Sequence, residues 1–230
     1  MSKDGAMQSV LSAVLGVIGS LGFMMAASAQ APVAVVEEVK GKPSGVEFMD
    51  YVAPGKEIKL GPKDSIVLGY MSSCWREMIT GGIVLVGTEQ SMVHEGEIER
   101  VKVDCDGGGQ HAADQKTGEG AATDFRSISN LRSAILPQVT IYGLSPILEV
   151  KGPGRLVVER LDKQGERHEV MVEKNSLLRG RFYDFVSAKK ALTPGGSYLA
   201  RLGDQEIIFN VDPAAKPGAT PVIGRLVRLE

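Results

Sequence analysis

Aromatic side chains are scarce here: six Phe, five Tyr and one Trp make up 5% of 230 residues. Val, Ile, Leu and Gly are plentiful instead, and that composition suits short strands and tight turns better than a helical bundle. An excess of one charge is also missing. Lys and Arg total 26 against 28 Asp and Glu, a formal net charge of −2 with the signs intermixed. Such a balance gives no electrostatic footprint for nucleic acid or an anionic membrane surface. Only two cysteines are present, Cys74 and Cys105, with no C-x-x-C pair and no His at ligand spacing, so a zinc or dithiol redox centre is disfavoured. The chain lacks a G-x-S-x-G elbow, an H-E-x-x-H helix motif and a GK[ST] phosphate loop. These absences remove the common hydrolase, metalloprotease and nucleotide-binding signatures, and nothing left specifies an enzyme.

One long apolar run is present, from Val10 to Met25, after a polar start whose one cation is Lys3. It ends in Ala27-Ser28-Ala29, followed by Gln30-Ala31-Pro32. Small residues at −3 and −1 fit a signal peptidase, so residues 1–29 read as a signal peptide cleaved between Ala29 and Gln30. The run also approaches the length of a membrane span, which leaves an uncleaved inner-membrane anchor as the alternative. No cysteine follows it closely, which argues against a lipoprotein. Export places Cys74 and Cys105 where an isolated pair usually bonds, with two buried free thiols as the other option. The bond would close a loop of about 30 residues.

Beyond the signal, about 200 residues remain, enough for one large or two small domains. Short apolar runs punctuated by glycine fill residues 33–105: Val33-Val39, Glu47-Tyr51, Ile58-Leu60, Ser65-Met71, Ile83-Val86 and Ile98-Val103. Each is too short for a useful helix, and several alternate, so a compact β domain is expected. Residues 106–124 hold almost no apolar side chain and read as a flexible linker. A second unit, 125–230, has strand-like runs at Gln138-Tyr142, Pro146-Val150, Arg155-Leu161, His168-Val172, Ser197-Leu202 and Glu206-Val211. Asp162-Lys163-Gln164-Gly165 reads as a hairpin turn. One short helix is predicted at Ser127–Ile135, stopped by Pro137. Asp212–Pro221 reads as a loose tail before an apolar strand, Val222–Leu229. The fold class is all-β: two small β domains behind a signal peptide.

Candidate chemistry is sparse. His94-Glu95 with Glu97 and Glu99 could be an acid–base or ligand group, but a solvated strand edge explains them as well. Asp104-Cys105-Asp106-Gly107 opens like a calcium loop, yet Gly108, Gln110 and Gln115 stand where further oxygens belong. His111 and His168 lie apart from His94, and Ser91 and Ser145 read as ordinary strand or turn residues. Cys74-Trp75-Arg76-Glu77 is the densest cluster, read as Trp75 packed on a disulfide.

Val36-Val39 with Gly41, Gly55-Lys56-Glu57-Ile58, Leu60–Leu68 and Ile83-Val86 with Gln90-Ser91 follow one order of turns and strands. In that order the first unit resembles the periplasmic domain of the FecR family, named for a ferric-citrate signalling regulator. The match covers a minor part of the chain and consists of punctuation rather than chemistry. Ser72-Ser73-Cys74-Trp75-Arg76 replaces the family's Asp-Gly-Ser turn, and only a few residues precede the apolar run where the regulator has a cytoplasmic segment. The resemblance therefore implies a fold and a cell-envelope setting, not sigma-factor control. The second unit is similar in outline to immunoglobulin-like sandwiches, through Leu192-Thr193-Pro194-Gly195-Gly196 before a late strand.

Together these readings lead to an expected function: an exported periplasmic, non-catalytic binding or structural protein that needs no cofactor or metal. Its partner would be an envelope protein or a glycan, met at exposed strand edges. An anchored envelope sensor and a hydrolase built on His94 are the rivals. Mass analysis of the N-terminus of the exported protein should find Gln30 first; an intact Met1 in the membrane fraction would reverse that expectation.

Overall fold

The computed structural model describes residues 30–43, 45–107 and 137–230. The expected signal up to Ala29, the linker from residue 108 onward with His111, and the helix at Ser127–Ile135 all lie outside the described residues. The protein is all-β. Among the described residues the one helical element is a 3-10 turn at Lys174–Ser176.

Six strands from the first half make one sheet: β1 (Ala34–Lys40), β2 (Tyr51–Val52), β3 (Glu57–Tyr70), β4 (Trp75–Leu85), β5 (Met92–His94) and β6 (Glu97–Lys102). Its order is β2-β1-β3-β4-β5, and β6 also pairs with β4. The runs Ile58-Leu60 and Ser65-Met71, expected as separate strands, are halves of β3. Gly61–Asp64 forms a bulge between them, and the register with β4 shifts there. The Asp64 carboxylate closes it by accepting from the N–H groups of Gly61 (3.0 Å) and Lys42 (3.2 Å). Alternating inward side chains, including Ile58, Leu60, Ile66, Leu68, Ile79 and Val84, form the core of this sheet.

β5 and β6 behave as one strand along β4. Their register is constant from Leu85↔Met92 to Trp75↔Lys102, through a kink where Gly81 and Gly82 take φ +65° and +79°. A Cβ at Gly96 would lie 2.2 Å from the Gly81 carbonyl oxygen, so the two backbones meet there only as glycine.

The second half is a sandwich. Its larger sheet runs β10 (Arg167–Val172), β9 (Gly154–Arg160), β12 (Gly196–Leu202), β13 (Gln205–Lys216), β7 (Val139–Gly143). The smaller runs β11 (Phe182–Asp184), β8 (Ile147–Glu149), β14 (Leu226–Arg228). Between them lie Leu148, Tyr183 and Val227 from one side and Leu156, Val158, Tyr198 and Phe209 from the other. The Asp162–Gly165 turn joins β9 to β10 as read. At the start of β12 the Thr193 N–H donates to the Tyr198 hydroxyl (3.1 Å), whose proton faces the Thr193 carbonyl (2.9 Å) and Glu166 Oε2 (2.8 Å). Burial, reinforced by Glu166, pushes that hydroxyl up to about 12.

The tail differs from expectation. β13 continues through Asp212 to Lys216 because β7 lies parallel beside it, pairing Lys216 with Gly143. The Lys216 carbonyl accepts from Leu144 N–H (3.1 Å). Val222–Arg225 is a buried turn, and only Leu226–Arg228 of the expected final strand pairs.

That turn meets the first sheet. Val35 and Met49 share an apolar cluster with Ile147, Phe182, Val222 and Ile223. The β1 register breaks between Val36 and Glu38, and the intervening Glu37 is fully buried. Its carboxylate accepts from Arg76 Nε (2.8 Å) and from the Ile223 N–H (2.9 Å). Gly69 is bare for the same reason, since a Cβ there would lie 2.6 Å from Ile223 Cγ2 and 2.7 Å from Glu37 Oε1. Alongside, the Tyr51 hydroxyl donates to Glu149 Oε2 (2.6 Å), and Arg228 and Arg181 lie over its ring at 4.6 and 4.9 Å. Arg179 pairs with Glu47 and Asp50.

This junction generates a test. Phe182→Ala should cost about 3–5 kcal/mol. Because Phe182 sits in the shared cluster, Trp75 fluorescence in the first unit should report the loss in urea at the same midpoint as circular dichroism. A wild-type midpoint for Trp75 would show that the two units unfold independently.

Candidate functional site

The two cysteines are bonded. Cys74, in the turn between β3 and β4, joins Cys105, just past β6, with Cα atoms 5.6 Å apart. The bridge brackets β4, β5 and β6. Trp75 follows at the start of β4, half-buried against the first core, with the Lys102 ammonium 4.5 Å from its ring centre. Of the cleavage-site residues, Ala29 lies outside the described residues and Gln30 is exposed coil.

Arg76 and Glu77 have opposite fates because β4 alternates. Arg76 turns to the outer face and to Glu37, whereas Glu77 points into the sheet and is fully buried. Glu77 accepts from Arg100 Nε (2.7 Å) and, through both oxygens, from the Ser91 N–H (3.1 Å each). Arg100 also donates to the Ser91 carbonyl (2.6 Å), and the Tyr70 and Ser91 hydroxyls are 2.8 Å apart. Every buried polar group here has a partner, so the group clips the segment before β5 to the sheet. Neither Glu37 nor Glu77 signals its burial in the sequence, because a Glu within an alternating run reads as solvent-facing.

The acidic group expected near His94 is brought together only loosely. His94, Glu95, Glu97 and Glu99 are all exposed along β5, the kink and β6. Asp106 is committed elsewhere, accepting from the Thr140 N–H (2.9 Å) of β7. Among the described residues no three His, Cys, Asp or Glu side chains converge as a metal set. Ser145 donates to the Lys190 carbonyl (2.7 Å) beside the buried Arg225–Asp184 pair. His168 lies 3.7 Å from Glu166 Oε1 and edge-on to Phe185. Arg160 grips Asp162 with two hydrogen bonds (2.8 and 3.0 Å) and holds its carboxyl at about 2. The Arg160–Asp162 group fastens a turn, whereas His168 Nε2 is buried without a hydrogen-bond partner.

Several strands, β10, β7, β11 and β14 among them, have a neighbour on one side only among the described residues, and so does the β5–β6 edge of the first sheet. Among the described residues β5 and β6 pair only with β4, leaving an unpaired border from Met92 to Lys102. The Val103 N–H donates to the Cys74 carbonyl (3.0 Å). By antiparallel alternation, residues 97, 99 and 101 bond β4, and Ile98, Arg100 and Lys102 aim their backbone groups outward. The outer face beside this border is apolar. Met78, Ile83, Met92 and Val101 are four of the seven large hydrophobic side chains exposed among the described residues, Met92 at 58%. A shallow groove of about 560 Å³ crosses the kink between Thr80, Ile83, Glu95 and Glu97.

Neither a scan against protein-family models nor searches of curated proteins and of solved structures finds a match to this chain.

Replacing both Cys74 and Cys105 by Ser should lower stability by about 3 kcal/mol, by loosening the unfolded chain. Denaturant unfolding followed at Trp75 measures the loss, and an unchanged midpoint would count against it. Thiol labelling of denatured, unreduced protein should find no free thiol.

Proposed function

We propose that this protein is an exported, non-catalytic binding protein of the cell envelope, working in the periplasm and capturing its partner on the β5–β6 border. The carrying observation is that border: β5 and β6, paired on one side only among the described residues, beside a concentration of exposed apolar side chains. A sheet edge of this kind supplies a ready row of backbone donors and acceptors, and apolar patches on an otherwise charged surface mark contact sites. Residues 1–29 supply the export reading, and the Cys74–Cys105 bridge fits an oxidising compartment. No helix among the described residues is long and apolar enough to cross a membrane. The FecR resemblance supports the envelope setting for the first unit. Should the Val10–Met25 run be retained, the same border would belong to an anchored sensor.

The test is site-specific photocrosslinking in the exported protein. A crosslinker at Met92 or Val101 should give one discrete adduct in the osmotic-shock fraction. The control position is Met171 on β10, 65% exposed but away from this border. Equal adducts from Met171, or none from Met92 and Val101, would overturn the assignment.

A further inference from the structure

We infer that the occupant of the β6 border is an extended polypeptide strand with cationic side chains at alternate positions; this rests on the docking role proposed above. Three observations choose that occupant. The first is backbone: the outward N–H and C=O groups of Ile98, Arg100 and Lys102 match a polypeptide's own hydrogen-bonding period. The exposed apolar residues of this face are Met, Ile and Val, without an aromatic ring on which a sugar would stack.

The second is charge. Glu95, Glu97 and Glu99 are exposed, and none joins an ion pair within 4.0 Å among the described residues. Arg100 and Lys102, the nearest cations in sequence, turn to the other face, Arg100 to Glu77 and Lys102 over Trp75. Glu97 and Glu99 share one face of β6, two residues apart, so an added strand meets them at positions i and i+2. Cations there are the matching choice. A second copy of this chain is a poor occupant, because this face of β6 offers only Glu97, Glu99 and Val101, and none of them is cationic.

The third is continuity with a contact surface the protein already uses. Val103 packs against the cluster between the two units, and Val101 follows on the same face, exposed and diagonal to Met78. The added strand therefore places an apolar residue beside Val101 and its cations beside Glu99 and Glu97. The full pattern is one apolar and two cationic positions on one face.

The experiment uses the protein as isolated from cells and a synthetic peptide, Val-Thr-Lys-Thr-Lys-Thr, read by amide chemical shifts and by affinity. Binding should shift the amides of Ile98, Arg100 and Lys102. Methylating alternate peptide nitrogens on the hydrogen-bonding side should abolish it. Glu97→Lys with Glu99→Lys, both exposed and so compatible with the wild-type Trp75 emission, should weaken the peptide about tenfold, as two cross-strand charge pairs allow. A Glu-for-Lys peptide shifting the same amides with equal affinity would overturn the charge assignment and leave edge docking standing. A soluble glycan fragment moving those amides when no peptide does would overturn the polypeptide assignment. If no probe moves them, both this inference and the docking role fall.

Discussion

The buried Glu37 carboxylate is the constraint around which the two halves are arranged. A carboxylate removed from water costs several kcal/mol unless its oxygens are matched, and deleting one partner of such a pair costs about 3–5 kcal/mol. Glu37 is matched from both halves, by Arg76 of the first sheet and by the Ile223 backbone of the second unit. The bulge in β1, the bareness of Gly69 and the buried turn at Val222–Arg225 all serve that meeting. The apolar cluster around Phe182 supplies the non-directional attraction. The carboxylate supplies the position, because hydrogen bonds to fixed donors tolerate little displacement.

Joining the halves there leaves the other side of the first sheet open. β1 and the start of β4 face the second unit, so their edges and faces are spent. β5 and β6 border no described strand except β4, and the glycine kink interrupts them without breaking register. The exposed Met and Val side chains continue a surface that, a few residues away at Val103 and Met71, is already covered. One face thus carries the internal contact and, beside it, an exposed apolar stretch.

Much of the architecture was legible in the residues. Alternation at Leu156–Val158 and Val170–Val172, the turn at Asp162–Gly165 and the pairing of two lone cysteines all have local causes. The misses share a cause too. Trp75–Thr80 does not read as strand because Arg76 and Glu77 break the apolar rhythm, although alternation persists once Glu77 is placed inside. Asp212–Lys216 looked like a loose tail because Pro and Ala carry no strand signal; its pairing depends on β7, about seventy residues earlier. Glu37 and Glu77 as buried anchors were invisible, since only the fold brings Arg76, Arg100, Ser91 and Ile223 to them. The border reads from sequence as a kind of surface, but its place at the His94–Glu99 segment depends on which of several one-sided strands gathers exposed apolar side chains.

The Cys74–Cys105 bridge has a mechanical side. A strand added to β6 lies parallel or antiparallel to it, so a pull along that strand loads its hydrogen bonds together in shear instead of unzipping them singly. The load passes through β6 and its ladder with β4 to a covalent tie just beyond the last pair, at Cys105, anchored at Cys74 where β4 begins. Tension would have to break the whole ladder at once before the hairpin could peel, and even then the chain would be tethered at its base. Were a partner strand to dock there, the bridge would carry that load for as long as it stays oxidised.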